Sequence, residues 1–293
     1  MDTSRFDALV DRIEVLYDED RRRDAIGLLD AESPGLEAWA ADLAHIKACL
    51  LAVTGDPDAA LRVLQDASAV GAWWHPSILT DDDDLTALRE RPEFRTLVEV
   101  SRDRVTADPR PPLVLLPDGP PVGVVVALHG AGLTAAHSAR DWAGVLPLNH
   151  ALVCLESSQR MSPMYRTWPD RDHAAADIAR ALEQLPTELD GVPLIAAGFS
   201  AGGRVALDWA LTARPVQVAG VIAMAPALRE LPTTAAGSLS PASILIGADD
   251  GLVETVDQAA ERLTGFGCTI ERLPGLGHGF PTDFSDRLAE LLR

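Results

Sequence analysis

A serine held between two glycines is the residue of this chain with the clearest chemical potential. It lies in the run Gly198-Phe199-Ser200-Ala201-Gly202, directly after a short apolar segment and directly before a stretch with helical character. At a strand-to-helix turn of this kind, the serine adopts a strained conformation that exposes its hydroxyl. The N–H groups that begin the helix then face any negative charge that forms above this hydroxyl. The pattern predicts that Ser200 is a nucleophile.

A serine hydroxyl is a weak nucleophile unless a neighbouring base removes its proton. Histidine suits this task because its pKa lies near neutral pH. In strand–helix proteins with such a turn, the partners follow the nucleophile in the order serine, acid, histidine. Of seven histidines, only His278 comes after Ser200, and Gly277 and Gly279 flank it. We therefore predict that His278 is the base.

A carboxylate should hold the imidazole in one tautomer and stabilise its charged form. The apolar segment 243–246 runs into an acidic turn that contains Asp249 and Asp250. In open parallel sheets, functional side chains gather at the carboxyl ends of the strands. Both aspartates are candidates for the acid on this ground.

The tetrahedral oxyanion of acyl transfer needs two N–H donors that are already in position. The residue after the nucleophile, Ala201, should supply one of them. The other should come from an earlier strand-to-helix loop. The glycine-rich segment His129–Gly132 follows the apolar run that ends at Leu128, so it is the candidate loop.

Length and composition limit the class of protein. The chain has 293 residues, of which 47% are hydrophobic and 24% charged, as expected for a globular protein with a sizeable core and two domains. The net charge of −19 argues against nucleic acid or an anionic membrane as partner. The acidic N-terminus lacks the apolar core of a signal peptide, so a cytoplasmic location is expected. The three cysteines are expected to be buried, and no cofactor is predicted.

Residues 1–108 are predicted to form a helical domain, because apolar residues recur there at helical spacing. A second helix is predicted to begin at Ser33-Pro34, with the serine as N-cap and the proline in the first turn, and to end at Gly55. A third helix follows the cap Asp56-Pro57. These two helices and their short turn predict an antiparallel helical hairpin.

This hairpin resembles the last repeat of tetratricopeptide-type helical arrays. The domain is a candidate for partner docking or for holding a homodimer together. The four aspartates Asp81–Asp84 could suggest a metal site, but a loop that caps a helix beginning at Leu85 is the simpler interpretation. No metal is therefore predicted.

Residues 109–293 alternate between short apolar runs and helical stretches, beyond a proline-rich boundary. Continuous apolar strands that alternate with helices predict a mainly parallel sheet covered on both faces, which is an α/β fold. The predicted strands are Leu113–Leu116, Val122–Leu128, Ala151–Leu155, Leu194–Phe199, Val218–Met224, Ser243–Ile246 and Thr269–Leu273.

Together, these features resemble the α/β-hydrolase superfamily over residues 113–293. The turn after the sixth strand resembles the G-x-x-D-x-x-V pattern of that superfamily, which implies Asp250 rather than Asp249 as the acid. The loop after the second strand resembles the H-G-x-G oxyanion loop of esterases and lipases. This match implies Ala131 as the second oxyanion donor and a structural role for His129.

Within the superfamily, the run Leu155–Gln159, with Trp168 and Asp172 downstream, looks like the dienelactone-hydrolase and bacterial carboxylesterase branch. Dienelactone hydrolases use cysteine, so Ser200 favours the esterase side. The resemblance implies hydrolysis of a carboxylic ester or thioester of a small molecule through an acyl-enzyme. Acyl transfer, peptide cleavage and a docking protein dominated by the helical domain stay open.

The segment 157–170 is a candidate lining for the substrate pocket. Arg160 and Arg166 in this segment are expected to face solvent, with binding of a substrate carboxylate as the alternative. Four apolar or aromatic side chains could contact an acyl or alcohol group, or could equally pack within the loop: Met161, Met164, Tyr165 and Trp168.

Overall fold

The computed structural model describes residues 3–293, so Met1 and Asp2 of the acidic N-terminus lie outside the described residues. The chain divides into two compact units. The first comprises the residues up to Ala107 together with Arg160–Tyr165, and the second comprises Asp108–Gln159 and Arg166–Arg293. Over residues 3–293, no helix combines the length and the apolar character needed to cross a bilayer.

The first unit is helical up to residue 104, as predicted. Its α-helices are α1 (Thr3–Asp18), α2 (Arg22–Glu32), α3 (Ala40–Val53), α4 (Pro57–Ala69), α5 (Pro76–Thr80) and α6 (Pro92–Arg104). Leucines, alanines and tryptophans on their inner faces form two clusters of buried residues. The tetratricopeptide-like character of this unit stays a prediction.

The predicted helix from Ser33-Pro34 to Gly55 is wrong at its start. Ser33 is the C-cap of α2, and its hydroxyl donates to the carbonyl of Leu29. Gly35 then turns the chain with φ +88°, and α3 begins only at Ala40. Proline is common both shortly after a helix end and in a first turn, so the Ser-Pro pair alone does not distinguish the two.

Aspartates cap helices at two predicted positions. The Asp56 side chain accepts a hydrogen bond from the Ala59 N–H at 2.9 Å, at the start of α4. Asp82 accepts from the Asp84 N–H at 3.0 Å and caps a 3-10 helix, Asp83–Leu88. This helix therefore begins two residues earlier than predicted.

The second unit is built on a seven-stranded sheet. Its strands are β1 (Leu113–Leu115), β2 (Gly123–Leu128), β3 (His150–Leu155), β4 (Leu194–Phe199), β5 (Gly220–Met224), β6 (Ala242–Gly247) and β7 (Thr269–Leu273). Their order in the sheet is β1-β3-β2-β4-β5-β6-β7. Only the pairing of β1 with β3 is antiparallel, and all other neighbours are parallel. The predicted α/β class is confirmed, and every predicted strand segment forms one of the strands.

Helices cover both faces of this sheet, which is why its central strands are apolar throughout. Alternate residues of β2 belong to separate buried clusters, with Val124 and Val126 in one and Val125 and Ala127 in the other. The helices of this unit are α7 (Ala135–Asp141), α8 (Arg171–Leu182), α9 (Ala201–Thr212), α10 (Val253–Gly265) and α11 (Phe284–Leu291).

The parallel register brings the predicted site segments to one edge of the sheet. Leu128 at the end of β2 pairs with Gly198 near the end of β4. Gly247 at the end of β6 pairs with Leu273 at the end of β7. The loops that follow these four strands therefore leave from the same edge, where open α/β sheets bind their ligands.

Candidate active site

Ser200 adopts the strained backbone conformation expected of a nucleophile turn, with φ +52° and ψ −117°. Its N–H donates to the carbonyl of Met224 at 2.9 Å, which holds the turn against the neighbouring strand β5. A Cβ on Gly198 would lie 2.4 Å from the Gly202 carbonyl oxygen, and a Cβ on Gly202 would lie 2.2 Å from that of Leu128. Both flanking glycines are therefore required by close approach of the backbone.

The predicted oxyanion donor Ala201 is the first residue of α9. The Ser200 carbonyl accepts the N–H of Arg204 at 3.0 Å, as the first turn of a helix requires. The N–H groups of that first turn have no partner within the helix and carry the positive end of its dipole. The Ala201 N–H, next to the serine, is one of these groups.

Asp250 and His278 are joined directly. The His278 Nδ1–H donates to Asp250 Oδ2 at 2.8 Å, and the other carboxylate oxygen accepts the Leu252 N–H at 2.8 Å. The Asp250 side chain is 1% exposed and that of His278 is 41% exposed. Asp249 is exposed, and its N–H donates to the Leu276 carbonyl at 3.0 Å. The structure therefore brings Asp250, and not Asp249, to the histidine.

The His278 ring packs against the residue that precedes the serine. Its centroid lies 4.8 Å from that of Phe199, which in turn contacts Phe280 at 4.9 Å. Within residues 3–293, neither Ser200 Oγ nor His278 Nε2 takes part in a hydrogen bond. Such contacts are often formed only when substrate is bound.

The loop that contains the second predicted donor, Ala131, has an ordered backbone. The Leu133 N–H donates to the Gly130 carbonyl at 3.1 Å, and the Gly132 N–H donates to the Arg166 carbonyl at 2.9 Å. Gly132 has φ +76°, a conformation that favours glycine. Ala131 lies between these anchored residues and is exposed at the end of β2.

His129 is buried and structural, as the loop pattern implied. Its Nδ1–H donates to the Gly130 carbonyl at 2.7 Å, and Nε2 accepts the Ser157 N–H at 3.1 Å. Burial lowers the pKa of His129 to about 4. The indole N–H of Trp168 donates to the His129 carbonyl at 2.9 Å. With both ring nitrogens occupied, His129 positions the loop.

Arg166 is buried and paired, in contrast to the predicted solvent-facing position. Its guanidinium donates to the carbonyls of Asp108 at 2.9 Å and Ser157 at 2.7 Å, and also to the Asp108 carboxylate. Its Nε lies 3.2 Å from Glu156 Oε1, and Glu156 Oε2 accepts the Ala135 N–H at 3.2 Å. Arg166 and Glu156 thus hold the Ala131 loop on its helix side, at Gly132 and Ala135, a role that no local sequence pattern indicated.

The four predicted pocket residues are divided between the two units. Met161 and Met164 belong to the first unit, where the Met161 carbonyl accepts the His75 N–H at 2.6 Å and Met164 packs on buried residues of α1–α3. Tyr165 is in the same segment. Trp168 is fully buried in the second unit. The side chains of Met161 and Trp168 are buried by packing within their units, so neither is exposed as the lining of a pocket.

Two family models match the chain in separate regions. Residues 5–108 match "A/B hydrolase-like, N-terminal domain", and residues 157–243 match "Serine aminopeptidase, S33". No curated protein matches the chain. The first match assigns the helical unit to a domain type named for its association with hydrolases.

Solved structures with the same fold include one of similar length. An uncharacterized protein from Bacillus cereus ATCC 10987 is 24% identical, with 97% of this chain and 96% of that chain covered and a TM-score of 0.52. Esterase PE8 is 21% identical, covering 64% of this chain and 99% of its own, at a TM-score of 0.52. The Bacillus cereus carboxylesterase is 15% identical over 61% of this chain and 91% of its own, at 0.50. The two family matches and the sheet topology assign the chain to the α/β-hydrolase superfamily, with an N-terminal helical domain before its hydrolase fold.

Proposed function

We propose that the chain is a serine hydrolase that cleaves a carboxylic ester or thioester of a small molecule. Ser200 is the nucleophile, His278 the base, and Asp250 the acid that orients the imidazole. The N–H groups of Ala201 and Ala131 bind the oxyanion. The observation that carries the proposal is the hydrogen-bonded pair Asp250–His278 at the same sheet edge as the strained serine.

The reaction is a two-step acyl transfer. His278 Nε2 takes the proton from Ser200 Oγ as this oxygen bonds to the carbonyl carbon, and the two backbone N–H groups stabilise the resulting oxyanion. The carbon–oxygen or carbon–sulfur bond then breaks, and His278 returns its proton to the leaving alcohol or thiol. Water then enters, gives a proton to His278, and its oxygen attacks the acyl-serine, which releases the acid and restores the serine hydroxyl.

The buried carboxylate of Asp250 favours this direction of proton transfer. It receives the Nδ1–H of His278, so the tautomer leaves the Nε2 lone pair available to the serine. The imidazolium formed after proton transfer is stabilised by the adjacent negative charge. Esterase PE8 and the Bacillus cereus carboxylesterase share the fold, which makes esters the first substrates to test.

Peptide cleavage is the second candidate, because the match over residues 157–243 is to a family described as a serine aminopeptidase. The same nucleophile, base and oxyanion donors serve amide hydrolysis, in which His278 protonates the leaving amine. Aminoacyl p-nitroanilides and p-nitrophenyl esters distinguish the two. Faster turnover of the anilides per enzyme at saturating substrate would favour the peptidase.

The proposal is tested by labelling and turnover. A fluorophosphonate probe should label the wild-type chain at Ser200, as located by mass spectrometry of the digested protein. Ser200→Ala should abolish labelling and lower p-nitrophenyl ester turnover by at least about 10⁴-fold. Ser238→Ala, at an exposed position outside the site, is the matched control and should behave as wild type. Turnover in Ser200→Ala equal to wild type would refute the proposal.

A further inference from the structure

Three side chains of different chemistry meet in the helical unit, outside the site described above. They are an imidazole, a thiol and a carboxylate, from His45, Cys49 and Asp82. Nε2 of His45 lies 3.6 Å from Sγ of Cys49 and 3.2 Å from Oδ2 of Asp82, and Sγ lies 3.4 Å from the same Oδ2. The three donor atoms thus form a nearly equilateral triangle.

The size of this triangle matches one face of a tetrahedral zinc site. With Zn–S of about 2.3 Å and Zn–N and Zn–O of about 2.0–2.1 Å, tetrahedral angles place sulfur about 3.5 Å from nitrogen or oxygen. The same geometry places nitrogen about 3.3 Å from oxygen. The observed separations of 3.6, 3.4 and 3.2 Å agree with these values without movement of any residue.

The chain positions the three donors before any ion binds. His45 and Cys49 are four residues apart on α3, so their side chains lie on one face of the helix. The Asp82 carboxylate is oriented by its other oxygen, which accepts the Asp84 N–H at 3.0 Å. The Asp82 carbonyl accepts from the Arg89 guanidinium at 2.8 Å. The residue that caps the 3-10 helix therefore presents its second oxygen to the histidine and the cysteine.

From this geometry we propose that His45, Cys49 and Asp82 bind a zinc ion with water as the fourth ligand. A thiolate, an imidazole and a carboxylate are the donors that zinc takes in proteins. The side chains of His45 and Asp82 are 18% and 28% exposed, which leaves a path for the ion and a position for water. On binding, zinc replaces the proton on Cys49 Sγ, and this proton passes to solvent. Asp82 then has both a capping and a ligating oxygen, although the aspartate run alone had indicated only a cap.

The bound ion would connect α3 to the turn before the 3-10 helix, so its effect is on the stability of the helical unit. The competing explanation is a purely hydrogen-bonded cluster, in which the Cys49 thiol donates to Asp82 and His45 contacts both. On this explanation the three residues bind no zinc. Metal binding by the purified full-length chain therefore separates the two.

Zinc binding is measured by equilibrium dialysis against zinc chloride with elemental analysis, and Co²⁺ is used as a spectroscopic replacement. We expect about one zinc per chain at micromolar metal and a thiolate-to-cobalt charge-transfer band in the near ultraviolet. Cys49→Ser, His45→Gln and Asp82→Asn should each weaken binding by at least about tenfold. Asparagine at residue 82 keeps the capping oxygen, so this variant tests ligation with the fold preserved.

The matched controls are Cys268→Ser, another buried cysteine, and Asp83→Asn, the exposed neighbour of the proposed ligand. Both should bind zinc and cobalt as wild type. The absence of stoichiometric zinc, the absence of the thiolate band, or tight binding that survives any of the three ligand substitutions would overturn the proposal. Circular dichroism verifies that each variant is folded, and His45→Gln and Asp82→Asn decide the matter if Cys49→Ser is not.

Discussion

Gly247 lies so close to Leu276 that a Cβ on residue 247 would be 2.1 Å from the Leu276 carbonyl oxygen. The two residues belong to the end of β6 and to the loop that carries His278. The contact continues next to them, where the Ala248 N–H donates to the Leu273 carbonyl at 2.9 Å and the Asp249 N–H donates to Leu276 at 3.0 Å. Backbone packs directly on backbone here, and this sets the distance between Asp250 and His278.

Gly247→Ala should therefore disturb the candidate site without touching a reacting group. The added methyl must displace the Leu276 backbone, and a misplacement of about 1 Å commonly costs about 10²-fold in rate. We expect kcat/KM for p-nitrophenyl esters to fall by about 10–10²-fold. Gly251→Ala is the control, because its Cβ would meet no atom within 4 Å. Equal rates for both variants would contradict the positioning role of Gly247.

Asp250→Asn should separate the two adjacent aspartates. The asparagine keeps the shape of the side chain but cannot hold the imidazole in the required tautomer, so kcat should fall by about 10³–10⁴-fold. Asp249→Asn should change kcat by less than about threefold, because Asp249 is exposed and contacts the histidine loop through its backbone. A larger loss in Asp249→Asn than in Asp250→Asn would reverse the assignment of the acid.

Arg166→Met should destabilise the second unit. The change leaves the carboxylates of Asp108 and Glu156 without their shared cation, and breaking a buried pair costs about 3–5 kcal/mol. Both carboxylates are partly exposed, so we expect a loss of about 2–3 kcal/mol in the free energy of unfolding by urea. Arg110→Met is the control. Arg110 also pairs with Asp108, but its side chain is 55% exposed. Its substitution should therefore lower the free energy of unfolding by less than about 1 kcal/mol.

Because of the buried Asp42, the helical unit should be more stable in mild acid than at neutral pH. Burial raises the pKa of Asp42 to about 6, although Ser162 Oγ donates to its Oδ1 at 2.6 Å. Its Oδ2 has no hydrogen-bond partner among the described residues. Because the folded pKa exceeds the unfolded value of about 3.9, the charged form destabilises the fold, and this cost declines as the pH falls through 6.

Asp42→Asn removes this titration. The stability of the variant relative to wild type should therefore be greatest at pH near 7.5 and decrease by about 1 kcal/mol at pH near 5. Urea unfolding of both proteins at the two pH values measures the difference. The buried His129 has a lowered pKa and acts in the opposite sense, but it is common to both proteins and cancels. A difference independent of pH would contradict the shifted pKa of Asp42.

Local patterns in the sequence determined the elements of the hydrolase fold. Each of the seven strands coincides with a predicted segment, and the ends of the observed strands lie within two residues of those predicted. The serine turn could also be predicted from the sequence, because close backbone packing on either side of Ser200 requires Gly198 and Gly202. Hydrophobic periodicity and turn chemistry act over a few residues, so they can be read from adjacent positions. The Ser33-Pro34 error shows the limit of such signals at a helix boundary.

Only the tertiary structure decided which distant polar groups meet. The sequence left Asp249 and Asp250 both open until the family pattern was applied, whereas the hydrogen bond to His278 distinguishes them directly. The burial of Arg166 and the convergence of Cys49 with Asp82 had no local signal. The partner of a buried polar group depends on which segments the core brings together, and that is settled by long-range packing rather than by neighbours in the chain.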